Sequence, residues 1–112
     1  MDADCLFCKI VAGEIPATIV HDSEQVLAFA DVNPQAPVHV LVIPKRHVPH
    51  IGELGADPEA SAIVLAGIRA VAQELGLDSY RTVFNTGAES GQTVFHVHAH
   101  VLSGRSFGWP PG

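Results

Sequence analysis

The stretch Thr93-Val94-Phe95-His96-Val97-His98-Ala99-His100-Val101-Leu102 places a histidine at every second position three times running. Side chains on an extended strand alternate between faces. This spacing therefore predicts His96, His98 and His100 on one face, roughly 6.5–7 Å apart, with Val97, Ala99 and Val101 facing a core on the other. An ordinary solvated face would mix Thr, Lys and Glu. Three imidazoles suggest one of two chemistries instead. Alternating histidines can supply ligands to zinc. A neutral imidazole is also a good nucleophile near pH 7, and its phosphoryl adduct hydrolyses readily, with flanking histidines orienting the ring and moving protons.

The segment that runs into this tract, Asn85-Thr86-Gly87-Ala88-Glu89-Ser90-Gly91-Gln92, is polar and carries two glycines. Glycines permit turns closed to other residues, and Ser90, Gln92 and Thr93 add donors, so such a loop can aim N–H groups at a phosphate or oxyanion. An ordinary hairpin loop explains the glycines alone equally well. A donor loop leading directly into a histidine strand favours attack at phosphorus. A second concentration of chemistry lies at Cys5-Leu6-Phe7-Cys8. Its C-x-x-C spacing reads as half of a metal site, as a redox pair, or as two small buried hydrophobes one helical turn apart.

The elements that must position these residues follow from local pattern. Cys5 to Ala12 reads as a short helix stopped by Gly13. Thr18–His21 and Val26–Ala30 read as short strands, and Asp31–Pro37 as a loop marked by Asn-Pro and a second proline. Val38–Ile43 is β-branched and apolar on both faces, which predicts a central strand ending at Pro44. Asp57 to Leu75 is the clear helix. Asp57 suits the N-cap, Pro58 the first turn, and Gly76 the stop, with Ile63, Val64, Gly67, Ile68, Val71 and Leu75 forming one apolar stripe. Arg81–Phe84 and Thr93–Leu102 complete five strands. Because the strands are not each separated by a helix, the expected fold is α+β, a five-stranded antiparallel sheet with one main helix and a short N-terminal helix.

The chain has 112 residues, which fits one domain over 1–112. Its formal charge is −6 with only six Lys and Arg, so the basic stripe that DNA or long RNA requires is missing. One small nucleotide stays within reach of backbone amides and histidines. No apolar run is long enough to span a bilayer, and the start Met1-Asp2-Ala3-Asp4 lacks the features of a signal peptide, so the expected location is the cytoplasm, without membrane partners.

With these residues in view, the sequence resembles the histidine-triad (HIT) family, whose signature stands here as His96-Val97-His98-Ala99-His100-Val101-Leu102. Glu14-Ile15-Pro16-Ala17, Leu27-Ala28-Phe29-Ala30-Asp31, Pro34-Gln35-Ala36-Pro37, Leu41-Val42-Ile43-Pro44-Lys45 and the closing Trp109-Pro110-Pro111-Gly112 are similar to the Hint branch. The resemblance implies a hydrolase of purine nucleoside 5′-phosphoramidates, of the adenosine type, working through a nucleotidyl-histidine and needing no cofactor for catalysis. It implies a homodimer whose two sheets join into one. His98 becomes the nucleophile, with His39, His96 and His100 around it. Gly91, Gln92 and Thr93 meet the phosphate and leaving group, with Asn85 beside them and Thr93 on the path of the leaving-group proton. Asp31 accepts from the ribose hydroxyls and Asn33 neighbours it. Phe7, Ile15, Phe29 and Leu41 line the base pocket, and Trp109 reaches toward the partner's site.

Many Hint relatives lack Cys5 and Cys8. Other members of the wider superfamily carry such a pair in a structural zinc site, and by that likeness the ligands here are Cys5, Cys8, His96 and the His47 of Ile43-Pro44-Lys45-Arg46-His47. A Cys2His2 set is closed, as structural sites are. Two rivals to the phosphoramidase reading stand beside it: a nucleotide-binding or scaffold module with residual activity, and a dinucleoside polyphosphate hydrolase of the Fhit type. For His21 and His50 the sequence offers only a solvated position, and for Arg105 no firm role.

Overall fold

A computed structural model describes residues 4–112. The chain runs α1 (Leu6–Val11), β1 (Ile19–Asp22), β2 (Val26–Ala30), β3 (Val38–Pro44), α2 (Ile51–Gly55), α3 (Pro58–Glu74), β4 (Arg81–Val83) and β5 (Ala99–Ser103). The five strands form one sheet in the order β1-β2-β3-β5-β4, with every neighbouring pair antiparallel. This is the expected α+β architecture. None of the described helices is long and apolar enough to cross a membrane.

The central strand is apolar on both faces because both faces are covered. Val40 and Val42 of β3 join Val26, Ala28, Ala99 and Val101 in a core closed by Val64, Ile68 and Val71 of α3. Leu41 and Ile43 join Leu27 and Phe29 on the opposite face, closed by Phe7 and the two cysteines of α1. Full burial of a side chain such as Ile43 contributes about 1.5–3 kcal/mol. The long helix is capped as its sequence dictates. Asp57 accepts from the Ala60 amide at 3.1 Å, and Gly76 takes a left-handed φ of 66° just past the last turn. Gly67 is where α3 meets β2: a Cβ there would lie 2.7 Å from Val26 Cγ1, so only glycine permits this approach.

Three expectations need correction. The strand predicted over Thr93–Leu102 forms only from Ala99 to Ser103. Upstream, the chain follows the segment after Pro44 through other bonds. The Val97 amide donates to the Val48 carbonyl at 2.6 Å, and the Gln92 side-chain amide donates to the carbonyls of Pro49 and Val94 at 2.7 and 3.1 Å. His96 and His98 therefore both precede the strand and only His100 stands on it, although Val97 keeps its place in the core with Ala99 and Val101. Second, two strand boundaries shift by a residue: β4 stops at Val83, one residue short of the predicted strand, and β1 runs from Ile19 to Asp22 rather than from Thr18 to His21. Third, a helix of five residues, α2, was not anticipated. Its N-cap is His50, whose ring accepts from the Glu53 amide at 3.3 Å, which gives that histidine a local role.

Candidate functional site

The α1 face of the sheet carries the chemistry. Antiparallel pairing sets Leu41 opposite His100 and His39 opposite Leu102, so His39 and His100 are diagonal neighbours on that face. Their rings touch, with His39 Nε2 2.9 Å from His100 Nδ1. The direction of this bond is fixed from outside. The backbone amide of Gln35 donates to His39 Nδ1 at 3.0 Å, so the ring proton of neutral His39 sits on Nε2 and is donated to His100. His100 then carries its own proton on Nε2. Burial holds His100 down to about 4, with His98 and His39 adding to the effect and Asp31 opposing it, so the ring is neutral at pH 7.

His98 is fixed by the opposite kind of partner. Its Nδ1–H donates to the His96 carbonyl at 2.8 Å, leaving the Nε2 lone pair bare. The His98 and His100 rings meet at 5.1 Å between centroids, and Phe7 packs edge-on to His98, also at 5.1 Å. His98 and His100 line a cavity of about 680 Å³ together with Phe7, Ile15, Phe29, Leu41, Asp31 and Thr93. The walls are apolar at the α1 end and polar near Asp31 and the histidines, the composition of a small-molecule site. Asp31 Oδ1 also accepts from the Asn33 amide at 2.8 Å, while Oδ2 lies 3.4 Å from His39 Nε2. The arrangement offers an unprotonated imidazole nitrogen, a neighbouring N–H donor and a carboxylate in one cavity. A nucleophile beside a proton donor is the minimum equipment for covalent group transfer.

Other candidates sit differently. Gly91 turns with φ 95° against Asn85, whose Nδ2 lies 3.6 Å from where a Gly91 Cβ would be. The Gly91 and Gln92 amides donate within their own loop, to Ala88 and Gly87, at 3.0 Å each. The Gln92 side chain is buried and fastens that loop, accepting from the Gly87 amide at 2.9 Å. Asn33 is exposed, and Trp109 is 85% exposed near the C-terminus; neither lines the cavity. Arg105 donates to the Gln35 carbonyl at 3.0 Å and lies over the Phe107 ring at 4.2 Å. His21 pairs with Glu74 at 2.7 Å. The two groups that sequence reasoning missed are backbone groups: the Gln35 amide and the His96 carbonyl, which set the tautomers of His39 and His98.

The fourth histidine of the site face turns away. His96 is fully buried and donates Nε2–H to the Pro44 carbonyl at 2.7 Å, so its bare Nδ1 faces the cysteines. That nitrogen lies 3.4 Å from Cys5 Sγ and 3.5 Å from Cys8 Sγ, and His47 Nδ1 lies 3.4 Å from Cys8 Sγ. A tetrahedral zinc with bonds of about 2.3 Å to sulfur and about 2.0 Å to nitrogen holds those atoms roughly 3.5 Å apart. The donor set therefore fits zinc in type, number and spacing. Burial holds His96 down to about 4, which keeps it in the neutral form a metal needs, and burial raises the Cys5 thiol. Asp31, His39 and His100 form the second cluster of potential ligands among the described residues. There the Gln35 amide keeps the proton on the His39 nitrogen that faces the cluster, which suits proton holding rather than coordination.

A family model described as HIT domain matches residues 12–107. The chain is 53% identical to an uncharacterized HIT-like protein of Synechocystis over the whole of both chains. It is 44% identical to the 14 kDa zinc-binding protein of Zea mays, covering 99% of this chain and 90% of that one. Among solved structures, a HIT family hydrolase from Legionella pneumophila superimposes with a TM-score of 0.91 at 48% identity, covering 97% of this chain and 100% of the other.

Proposed function

This chain belongs to the HIT family, and from that premise we propose that it is a hydrolase that cleaves the P–N bond of purine nucleoside 5′-phosphoramidates through a covalent nucleotide on His98. The observation that carries the reading is the bond from His98 Nδ1–H to the His96 carbonyl, which leaves Nε2 as a bare nucleophile in a cavity shaped for a small molecule. The purine occupies the apolar end, between Phe7, Ile15, Phe29 and Leu41, and the ribose hydroxyls donate to Asp31. His98 Nε2 bonds to the α-phosphorus as the P–N bond to the amine breaks. The departing nitrogen takes up a proton through Thr93, which is exposed and recovers one from solvent. Water then attacks the same phosphorus and gives up a proton to solvent, the P–Nε2 bond breaks with its electron pair returning to Nε2, and the nucleoside 5′-monophosphate leaves. The Nε2–H of His100 donates to a phosphate oxygen, and its connection to His39 keeps it in that tautomer.

Two further parts belong to the same reading. Cys5, Cys8, His47 and His96 hold a structural zinc, supported by their spacing and by the zinc-binding name of the maize relative. Zinc there neutralises two thiolates and pins α1 to the sheet. Two copies pair through the exposed edge strand β4, which brings Trp109 of each toward the other's cavity; the exposure of that tryptophan supports this. The test is steady-state turnover on adenosine 5′-phosphoramidate set against diadenosine polyphosphates. A higher kcat/KM for the phosphoramidate is expected. Preference for the dinucleotide, or binding of nucleotide without turnover of either, overturns the reading.

A further inference from the structure

We propose that Cys5, Cys8 and His47 are positioning residues for the nucleotide site, so that metal occupancy and nucleotide affinity are coupled. This rests on the nucleotide reading above. The two sites share three physical connections. The first is Phe7, which lies between the two cysteines at the start of α1. Its ring sits edge-on to His98 at 5.1 Å, to Phe29 at 5.3 Å and to His96 at 6.0 Å. A helix of six residues has no independent stability, so its place is set by what holds its first turn. In this chain those holds are the buried packing of Phe7 and the contacts of Cys5 and Cys8 with His96 and His47.

The second connection is covalent. His96 presents its ring to the cysteines and its carbonyl to His98 Nδ1, so one residue serves both sites. Fixing the ring of His96 fixes the peptide that orients the nucleophile. The third is a shared wall. Leu6, Thr93 and Val94 line the 680 Å³ cavity, and the same residues line a neighbouring cleft of about 470 Å³ that Cys5 and His47 also line. Releasing the four-ligand clamp frees α1, the 93–94 wall and the His96 carbonyl together. Each of these defines part of the nucleotide cavity. Coupling between equilibria is reciprocal, so nucleotide must tighten the metal by the factor by which metal tightens the nucleotide.

The test compares zinc-loaded wild type, chelator-stripped wild type and His47→Ala. His47 takes no part in the proposed chemistry and does not line the nucleotide cavity, so its loss reports on the clamp alone. Adenosine 5′-monophosphate is the probe, titrated by calorimetry well below each melting temperature. The Kd is expected to rise about tenfold in the stripped protein and severalfold in His47→Ala, with the zinc Kd falling by the same factor in saturating nucleotide. Ring 15N shifts provide a readout that needs no nucleotide: His98 is expected as a single Nδ1–H tautomer when zinc is bound and as a mixture in His47→Ala. A folded His47→Ala protein with wild-type affinity and an unchanged His98 tautomer overturns the inference. Failure of loaded wild type to bind the nucleotide overturns the nucleotide reading instead, and the tautomer measurement then decides the positioning role by itself.

Discussion

His96 and His98 are two residues apart, and the backbone treats them alike: each donates one ring N–H to a carbonyl, of Pro44 and of His96 respectively, and is left with one bare nitrogen. His39, across the sheet, receives a backbone amide instead, and its second nitrogen is left protonated. What distinguishes the two clusters is what the free nitrogens face. The bare nitrogen of His96 faces two buried thiols in a set completed by half-buried His47, which is a ligand's position. That of His98 belongs to a ring lining an open cavity beside the His39–His100 pair, which is a nucleophile's position. An imidazole's role thus follows from which backbone group holds its first nitrogen and which side chains meet its second.

If this division is right, the two ends respond differently to the same substitution. His98→Ala is expected to lower turnover by more than about 10³-fold with nucleotide binding and zinc content retained, checked by stopped assays and metal analysis. At the other end, Cys8→Ala is expected to bring zinc below about 0.2 per chain and lower the melting temperature by roughly 10 °C or more, measured by calorimetry. His39→Ala removes the donor that fixes His100 and is expected to lower kcat about 10²-fold with zinc content unchanged; the melting temperature falls by several degrees as well, because His39 is buried and its ring also accepts the Gln35 amide.

A smaller effect concerns pH. His100 titrates near 4 in the folded chain against an ordinary 6.5, so the unfolded chain binds the extra proton first as pH falls. Its contribution to stability is therefore full above about 6.5 and is lost between there and about 4. Thermal melts across that window should show a falling melting temperature, and His100→Asn should flatten part of the slope. The smallest effect is expected at His50, which also receives a backbone amide but belongs to no cluster. His50→Ala should cost about 1 kcal/mol in denaturant unfolding and leave kcat unchanged.

Much of this was legible in the residues. Asp57-Pro58 and Gly76 marked the ends of α3, the two-faced apolar run marked β3 as central, and the family likeness assembled Cys5, Cys8, His47 and His96 from three distant segments. The misses share a cause. Period-two alternation over 93–102 reported which side chains reach the core, as Val97, Ala99 and Val101 do, but strand pairing also needs a ladder partner. Beyond Pro44, which has no N–H, the neighbouring segment offers single bonds instead. Gly87 and Gly91 marked turns with positive φ, yet glycine does not say where the amides point, and those of Gly91 and Gln92 point into the loop. The tautomer-setting groups, Gln35 N–H and His96 C=O, are main-chain atoms and leave no mark in residue type. The helix α2 was too short for a periodic signal, and its cap is a histidine rather than Ser, Thr, Asp or Asn.

The division between nucleophile and ligand is tested most directly by trapping the intermediate. Protein mixed with adenosine 5′-phosphoramidate, quenched rapidly under alkaline conditions and digested for mass spectrometry, is expected to carry one nucleotidyl group on the peptide containing His98, bonded through Nε2, and none in His98→Ala. Turnover proceeding at full rate with no adduct, or an adduct mapped to His96 or His100, would contradict the assignment.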